Sequence, residues 1–202
     1  NSLTPTTSNV VSTSSTPASA TAFNTTIWDG NGQNRTISTG LDMSGEGGMV
    51  WLKRRDGGTN PLIYDTERGA PYHLETDGSA GHSQFGGFLT GFTNDGFTIG
   101  TGHNINSVGS EHVAWSFAEK PQFFDIVTWT GNDSVRQISH NLGSKPGFII
   151  IKRYDGTEDW TCYHQDLPDG ANSWIQLNGN YGGSMGGWFM NNTEPTSTHF
   201  TV

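Results

Sequence analysis

Two carboxylates and an arginine lie within five residues of this sequence, in the segment Asp65-Thr66-Glu67-Arg68-Gly69. A retaining glycosidase needs two carboxyl groups about 5–5.5 Å apart, and an inverting one needs them farther apart. Asp65 and Glu67 are two positions apart, so on a strand they would share one face at roughly 7 Å. The competing interpretation, which we favour, is an Asp–Arg ion pair that holds a loop between two strands.

Aromatic side chains in a glycine-rich stretch suggest a second kind of site. Carbohydrate sites commonly stack sugar faces on exposed aromatic rings, with amides or carboxylates nearby. Trp174, Tyr181 and Trp188 surround such a stretch, which is also rich in asparagine. These three residues are candidates for glycan contact. Burial of Trp174 and Trp188 in an ordinary β-sheet core is the alternative.

Metal chemistry has little support in the sequence. The seven histidines lack the His-x-His or His-x-x-x-His spacing of common ligand pairs. Aspartates in glycine-rich turns could supply calcium ligands, yet none shows the Asp-x-Asp-x-Asp-Gly spacing of a calcium loop. We therefore expect no metal and no other cofactor. Turn formation is the expected role of these aspartates, which are Asp42, Asp56, Asp77, Asp95, Asp155 and Asp169.

The chain has a single cysteine, Cys162, so it forms no internal disulfide. A catalytic thiolate is conceivable at this position. However, Cys162 stands among aromatic residues in a predicted strand, which indicates a buried structural cysteine.

The amino-acid composition limits which fold classes and which kinds of partner are plausible. The 202 residues include 28 glycines, 7 tryptophans and 11 phenylalanines, while charged residues make up only 14%. This turn-rich and aromatic-rich composition is typical of all-β proteins. The net charge of −9 repels phosphate backbones, which argues against a nucleic-acid partner. No apolar run approaches the ~20 residues needed to span a bilayer, so we expect no membrane insertion.

Short runs of β-branched and aromatic residues, bounded by Gly, Asn, Asp or Pro, predict strands along the chain. No stretch has the apolar periodicity of a long helix, so helices should be short or absent. The predicted strands are Ile37–Thr39, Met49–Arg54, Leu62–Asp65, Tyr72–Glu75, Phe97–Gly100, His112–Ala118, Phe124–Thr130, Val135–Ser139, Gly147–Arg153, Trp160–His164 and Trp174–Leu177.

The sequence repeats itself at a spacing of about 100 residues, which fits two tandem domains rather than a solenoid. The segment from Trp28 to Leu41 returns from Trp129 to Leu142, and Trp51–Gly57 returns as Ile150–Gly156. We therefore predict a first β-sandwich module over residues 23–120 and a second over residues 121–202. The place of Asp65 and Glu67 in the second copy keeps no acid pair, which weakens the glycosidase hypothesis.

The two ends of the chain generate further expectations. Residues 1–22 contain 12 Ser and Thr residues and no charge, so we predict an extended arm or linker. The second copy has no equivalent of His112–Ala118 and should carry an open sheet edge. We expect a longer natural chain to supply the last strand, or another chain to complete the sheet.

A particular order of motifs resembles a known family. The motifs are Gly48–Lys53, Tyr64–Gly69, Asn94–Gly100, Val113–Phe117, Trp129–Gly131, Ile138–Arg153 and Tyr163-His164. In this order they resemble the repeated domain of virion appendage proteins, mostly tail fibre-like, of marine tailed bacteriophages. The resemblance covers about Thr25 to Val202 and implies a concanavalin-like jelly-roll sandwich. It implies no catalytic residues.

These observations lead to one hypothesis and two alternatives. The leading hypothesis is a non-enzymatic virion protein, a tail fibre or appendage that presents its modules at the virion surface. Its expected partners are other virion proteins bound through the arm, further copies of the chain in a trimer, and host-surface glycans. The first alternative is a head decoration or capsid-fibre protein. The second is a glycan depolymerase, for which fold analogy is a weak argument.

Overall fold

A computed structural model of the chain describes residues 22–184 and 189–202. The predicted arm, apart from Ala22, and the candidate residue Trp188 lie outside the described residues. The described residues form antiparallel strands joined by turns, so the predicted all-β fold is confirmed. Their helices are short, as expected, and none is long and apolar enough to cross a membrane.

The first module consists of two facing sheets. One sheet has six strands in the order β1-β9-β3-β4-β5-β6, and the other has three in the order β2-β8-β7. The elements are β1 (Phe23–Asp29), β2 (Arg35–Ser38), β3 (Gly48–Arg54), β4 (Leu62–Asp65), β5 (Tyr72–Glu75), β6 (Ser83–Gln84), β7 (Leu89–Thr93), β8 (Gly96–Ile99), α1 (His103–Asn106) and β9 (Glu111–Ala118).

The core of the first module lies between these two sheets. Strand alternation explains it, because every second side chain of a strand points to the same face. On β3, Val50 and Leu52 are fully buried in this core, whereas Met49 and Trp51 point to the opposite face of the sheet. From the three-stranded sheet, Ile37, Phe97 and Ile99 are among the residues that complete the core.

The second module repeats this plan with fewer strands. A sheet with the order β11-β12-β13-β14 faces the pair β10-β15. Its strands are β10 (Gln137–Ser139), β11 (Phe148–Ile151), β12 (Thr161–His164), β13 (Ser173–Gln176), β14 (Gly182–Ser184) and β15 (His199–Thr201), with 3-10 helices at Gly170–Asn172 and Met190–Asn192. The core between the sheets contains Ile138, Tyr163, Trp174, Met190 and Phe200 among its buried residues.

The duplication extends to individual interactions. Corresponding pairs of side chains meet in nearly the same geometry in both modules. The edge-to-face ring pairs are Trp28–Phe97, with centroids 6.0 Å apart, and Trp129–Phe200 at 5.6 Å, and the ion pairs are Arg54–Asp56 at 2.7 Å and Arg153–Asp155 at 2.8 Å. The repeat that the sequence shows is therefore a repeat of structure.

The modules differ at one strand. In the first module, β9 lies between β1 and β3 and pairs with both over seven residues each. Within the described residues, the second module has no counterpart of β9. The segment Phe124–Thr130, which aligns with β1, forms no strand, so the strand predicted there is wrong. A β-strand needs a neighbour to satisfy its backbone groups, and no described residues of the second module take the place that β9 has beside β1.

This difference changes the burial of equivalent core residues. Val50 and Leu52 are 0% and 1% exposed, whereas their counterparts Ile149 and Ile151 are only partly buried. Among the described residues, β11 pairs with β12 on one edge alone, which fits the incomplete burial of these two isoleucines.

We predict that Leu52→Ala destabilises the protein far more than Ile151→Ala. Truncation of a fully buried leucine costs about 2–5 kcal/mol, and we expect less than half of that loss at Ile151 because its side chain is already partly exposed. Equilibrium denaturation in urea measures both free energies of unfolding. Equal losses would mean that the core of the second module is closed in solution.

Candidate binding cleft between the modules

The outer faces of the two large sheets pack against each other. Ile63 and Leu74 of the first module are buried together with Trp160 of the second. The Trp160 indole Nε1 donates to the Glu75 and Gly78 carbonyl oxygens at 3.0 and 3.1 Å. The buried indole thus satisfies its donor in the other module and connects the two modules.

The loop between β5 and β6 forms a second contact. The His82 amide donates to the Tyr154 carbonyl oxygen at 2.6 Å, and the two rings lie 5.2 Å apart. At Gly81 the backbones approach so closely that a Cβ atom would lie 2.8 Å from the same carbonyl oxygen. Glycine is therefore required at this position by the neighbouring module.

Beside this contact the modules enclose a cleft of about 540 Å³. Its volume is within the range of about 300–1,000 Å³ that is typical of ligand sites. Met49, Trp51 and Phe117 of the first module form one wall. The second module contributes two banks, residues 122–129 and residues 144–152. The second bank contains β11, so the cleft opens along the unpaired edge of that strand.

Asp65 and Glu67, the acid pair that the sequence suggested, do not line the cleft together. Asp65 borders the cleft but is buried, and its carboxylate accepts from Arg68 Nε at 2.6 Å and from the Arg68 amide at 2.8 Å. Arg68 also donates to the Ile63 carbonyl oxygen at 3.2 Å. Glu67 is exposed and does not line the cleft. The interpretation of an Asp–Arg ion pair that holds the loop after β4 is confirmed.

Glu119 is a titratable group that the sequence analysis did not single out. It follows β9, and its Oε1 is buried without a hydrogen-bond partner. Burial, together with the negative charges of Asp125, Glu67 and Asp65, raises the pKa of Glu119 to about 7. The segment that joins the two modules thus contains a carboxyl group that changes its charge near neutral pH.

The structure separates the three candidate glycan-contacting residues. Trp174 is 7% exposed and lies in the core of the second module, so its ring is not available to stack on a sugar. Tyr181 is 66% exposed, and its ring centroid lies 6.0 Å from that of Trp174. Trp188 lies outside the described residues. Of the two candidates that lie within the described residues, Tyr181 is the exposed one.

The remaining candidates from the sequence are Cys162, the possible metal ligands and the aspartates of the turns. Cys162 is buried, as expected, and burial raises the pKa of its thiol to about 11, which makes the thiolate rare at neutral pH. Within residues 22–184 and 189–202, no three His, Cys, Asp or Glu side chains come together as a metal site. The aspartates of the turns after β3 and β11 pair with arginines.

Sequence reasoning missed the cleft, although one signal was present. A strand that buries a single face alternates apolar and polar residues, whereas Met49–Leu52 and Phe148–Ile151 are apolar on both faces. Such runs indicate that the outer faces of these strands are also covered. The cleft forms where that cover is incomplete.

Fold and site together define a duplicated all-β, sandwich-like protein with an apolar cleft between its two modules. The chain belongs to a family described as a domain of unknown function (DUF7483), whose model matches residues 18–202. No curated protein and no solved structure matches it.

We predict that Glu119 makes the stability of the protein depend on pH. Its pKa is about 7 in the folded chain and near the ordinary value of 4.5 in the unfolded chain. Between these values the folded chain keeps a proton that the unfolded chain releases. The free energy of unfolding should therefore fall as pH rises from about 4.5 to about 7, and this contribution should then stay constant.

Glu119→Gln should remove this slope and stabilise the protein at pH 8 by about 1 kcal/mol, a figure reduced for solvent screening of a partly exposed group. Denaturation of both proteins from pH 4 to pH 8 measures the effect. The exposed Glu158→Gln serves as the matched control and should retain the slope. An unchanged slope in Glu119→Gln would contradict the assignment.

Proposed function

We propose that the chain is a non-catalytic structural protein of a bacteriophage virion, a tail fibre or appendage protein that presents β-sandwich modules at the particle surface. The packing of two related modules through a shared core at Ile63, Leu74 and Trp160 carries the proposal. A duplicated body joined in this way suits a rigid spacer or display element. The resemblance of its motif order to virion appendage domains supports the same role.

The chemistry of the cleft also favours a structural role over catalysis. Asp65, the carboxylate that most suggested hydrolysis, is held by Arg68 in a buried ion pair. The jelly-roll type of sandwich, anchoring through the N-terminal arm and assembly into a trimer are parts of the same proposal. Tyr181 is its candidate contact for host-surface glycans, since its ring is exposed beside a glycine-rich strand.

Finding where the chain is located on a virion tests the proposal directly. Antibodies raised against the purified chain should label the tail or its appendages when intact particles are imaged by electron cryo-microscopy. Label spread over the head would replace the proposal with the head decoration or capsid-fibre alternative. Particles that carry no label would contradict a virion role altogether.

Glycan recognition has a test of its own. If Tyr181 stacks on a sugar, Tyr181→Ala should weaken binding to host-surface polysaccharide by about three- to tenfold, since an aromatic contact contributes about 0.5–1.5 kcal/mol. Tyr181→Phe keeps the ring and should bind like the original chain. Titration in a calorimeter measures both affinities. Equal binding by the alanine variant would exclude Tyr181, and cleavage of the polysaccharide would favour the depolymerase alternative.

A further inference from the structure

One loop of the first module makes a series of polar contacts with the second module. We call this segment, residues 75–82, the interface loop. The Trp160 indole bonds to two of its carbonyl oxygens, as described above. A third carbonyl oxygen, that of Ser79, accepts from the Glu158 amide at 2.9 Å and from Lys152 Nζ at 3.1 Å. Because these bonds share one short segment, a change within the loop affects them together.

His82, the last residue of the interface loop, contacts two tyrosine rings, one from each module. The Tyr72 ring of the first module stacks on the imidazole, with centroids 4.7 Å apart and planes at 18°. The Tyr154 ring of the second module lies 5.2 Å away, and its carbonyl oxygen accepts the His82 amide. The imidazole is therefore part of the contact between the modules.

The surroundings of the His82 ring favour its neutral form. Nδ1 is buried and has no hydrogen-bond partner among the described residues. A protonated imidazole has an N–H at both nitrogens, so the charged ring would bury a donor without an acceptor. Asp65 and Asp155 are the carboxylates whose charges act on this ring. Each already forms an ion pair, with Arg68 and Arg153 respectively.

Neighbouring positive charges act in the same direction. Burial lowers the pKa of His82, and the positive charge of Arg68 lowers it further, against the smaller opposing effects of Asp155 and Asp65. His73, on β5, is buried, and burial also lowers its pKa. A positive charge on His82 makes protonation of His73 still less favourable. A proton on His82 is thus poorly accommodated while the modules are in contact.

We propose that the interface loop is a pH-sensitive contact, in which protonation of His82 in mildly acidic solution separates the two modules while each keeps its fold. Above about pH 6.5, the ordinary pKa of histidine, the ring is neutral whether the modules are together or apart, so the contact is intact. As pH falls below this value, the separated form takes up the proton first, and the closed form loses stability. Separation exposes the apolar surface of Ile63, Leu74 and Trp160.

This pH dependence has the opposite sign to that of Glu119. Protonated Glu119 favours the folded chain, whereas protonated His82 disfavours the contact between the modules. The two effects also differ in what they change, because one concerns unfolding of the chain and the other separation of folded modules. The proposal does not depend on where the chain is located on a virion.

Hydrogen exchange measured by NMR tests the separation directly. The amides of His82 and Glu158 donate across the interface, so their exchange reports its opening. Between pH 7.5 and pH 5.5 their protection, corrected for the intrinsic exchange rate, should fall by about three- to tenfold, since uptake of one proton changes an equilibrium by at most about tenfold per pH unit. Amides in the ladder between β3 and β9 should keep their protection. Unchanged protection at the interface, or an equal loss in the ladder, would overturn the proposal.

Two neutral variants identify the group that takes up the proton. His82→Phe keeps a flat ring beside the tyrosines and cannot be protonated, so the Glu158 amide should keep its protection at pH 5.5. His82→Gln is a second neutral variant with a smaller side chain, and its protection should likewise not change with pH. His103→Phe, at an exposed position of α1, is the matched control and should show the fall seen in the original chain. The same fall in both His82 variants would overturn the proposal.

Discussion

The pairing of β9 between β1 and β3 is the interaction on which the rest of the structure depends. It joins the first and third strands of the first module into one sheet and presents Ala114 and Ser116 to the core. With β9 present, β3 has a partner strand on both edges, and β1 pairs with β9 at the edge of the sheet. Within the described part of the second module no strand holds the equivalent place, and the segment aligned with β1 is not a strand. The lack of this ladder among the described residues thus explains the shorter sheet, the partly buried isoleucines and the cleft.

Much of this fold could be predicted from the sequence, because strand and turn signals are local. The bounds of β4 and β5 agree with the runs Leu62–Asp65 and Tyr72–Glu75, and the repeat correctly aligns β3 with β11. β1 was missed because its Asn and Thr residues have a weak apolar pattern, and its pairing with β9 decides its conformation. At Phe124–Thr130 a strand was predicted and none formed. The cause is the same, because an apolar run forms a strand when a partner strand lies beside it, and no described strand lies beside this one.

The candidate site was less predictable than the fold, because it depends on how two modules meet. The acidic segment at Asp65 drew attention for its residue types, yet the fate of that carboxylate is decided by Arg68, three residues away. The raised pKa of Glu119 is caused first by burial and then by the negative charge of Asp125 of the other module. The ion pair of Asp65 with Arg68 could be anticipated from the sequence, whereas the influence of the other module on Glu119 could not. The apolar outer face of β3 was the available signal. It indicates that another segment packs against this face, but it does not identify that segment.

Comparison of the two modules shows which interactions a duplication preserves. Short-range turn contacts persist, such as the arginine–aspartate pairs after β3 and β11, because all their participants are copied together. Equivalent residues at the module interface differ between the two copies. The outer face of one module packs against the outer face of the other, so the two faces must be complementary rather than identical. Trp51 of the first module corresponds to Ile150 of the second, and both pack at that interface. The ion pair of Asp65 is replaced at the matching place by His164 and Asp166, 3.8 Å apart and exposed. The structural asymmetry between the two copies therefore lies at the interface, where the modules contact each other.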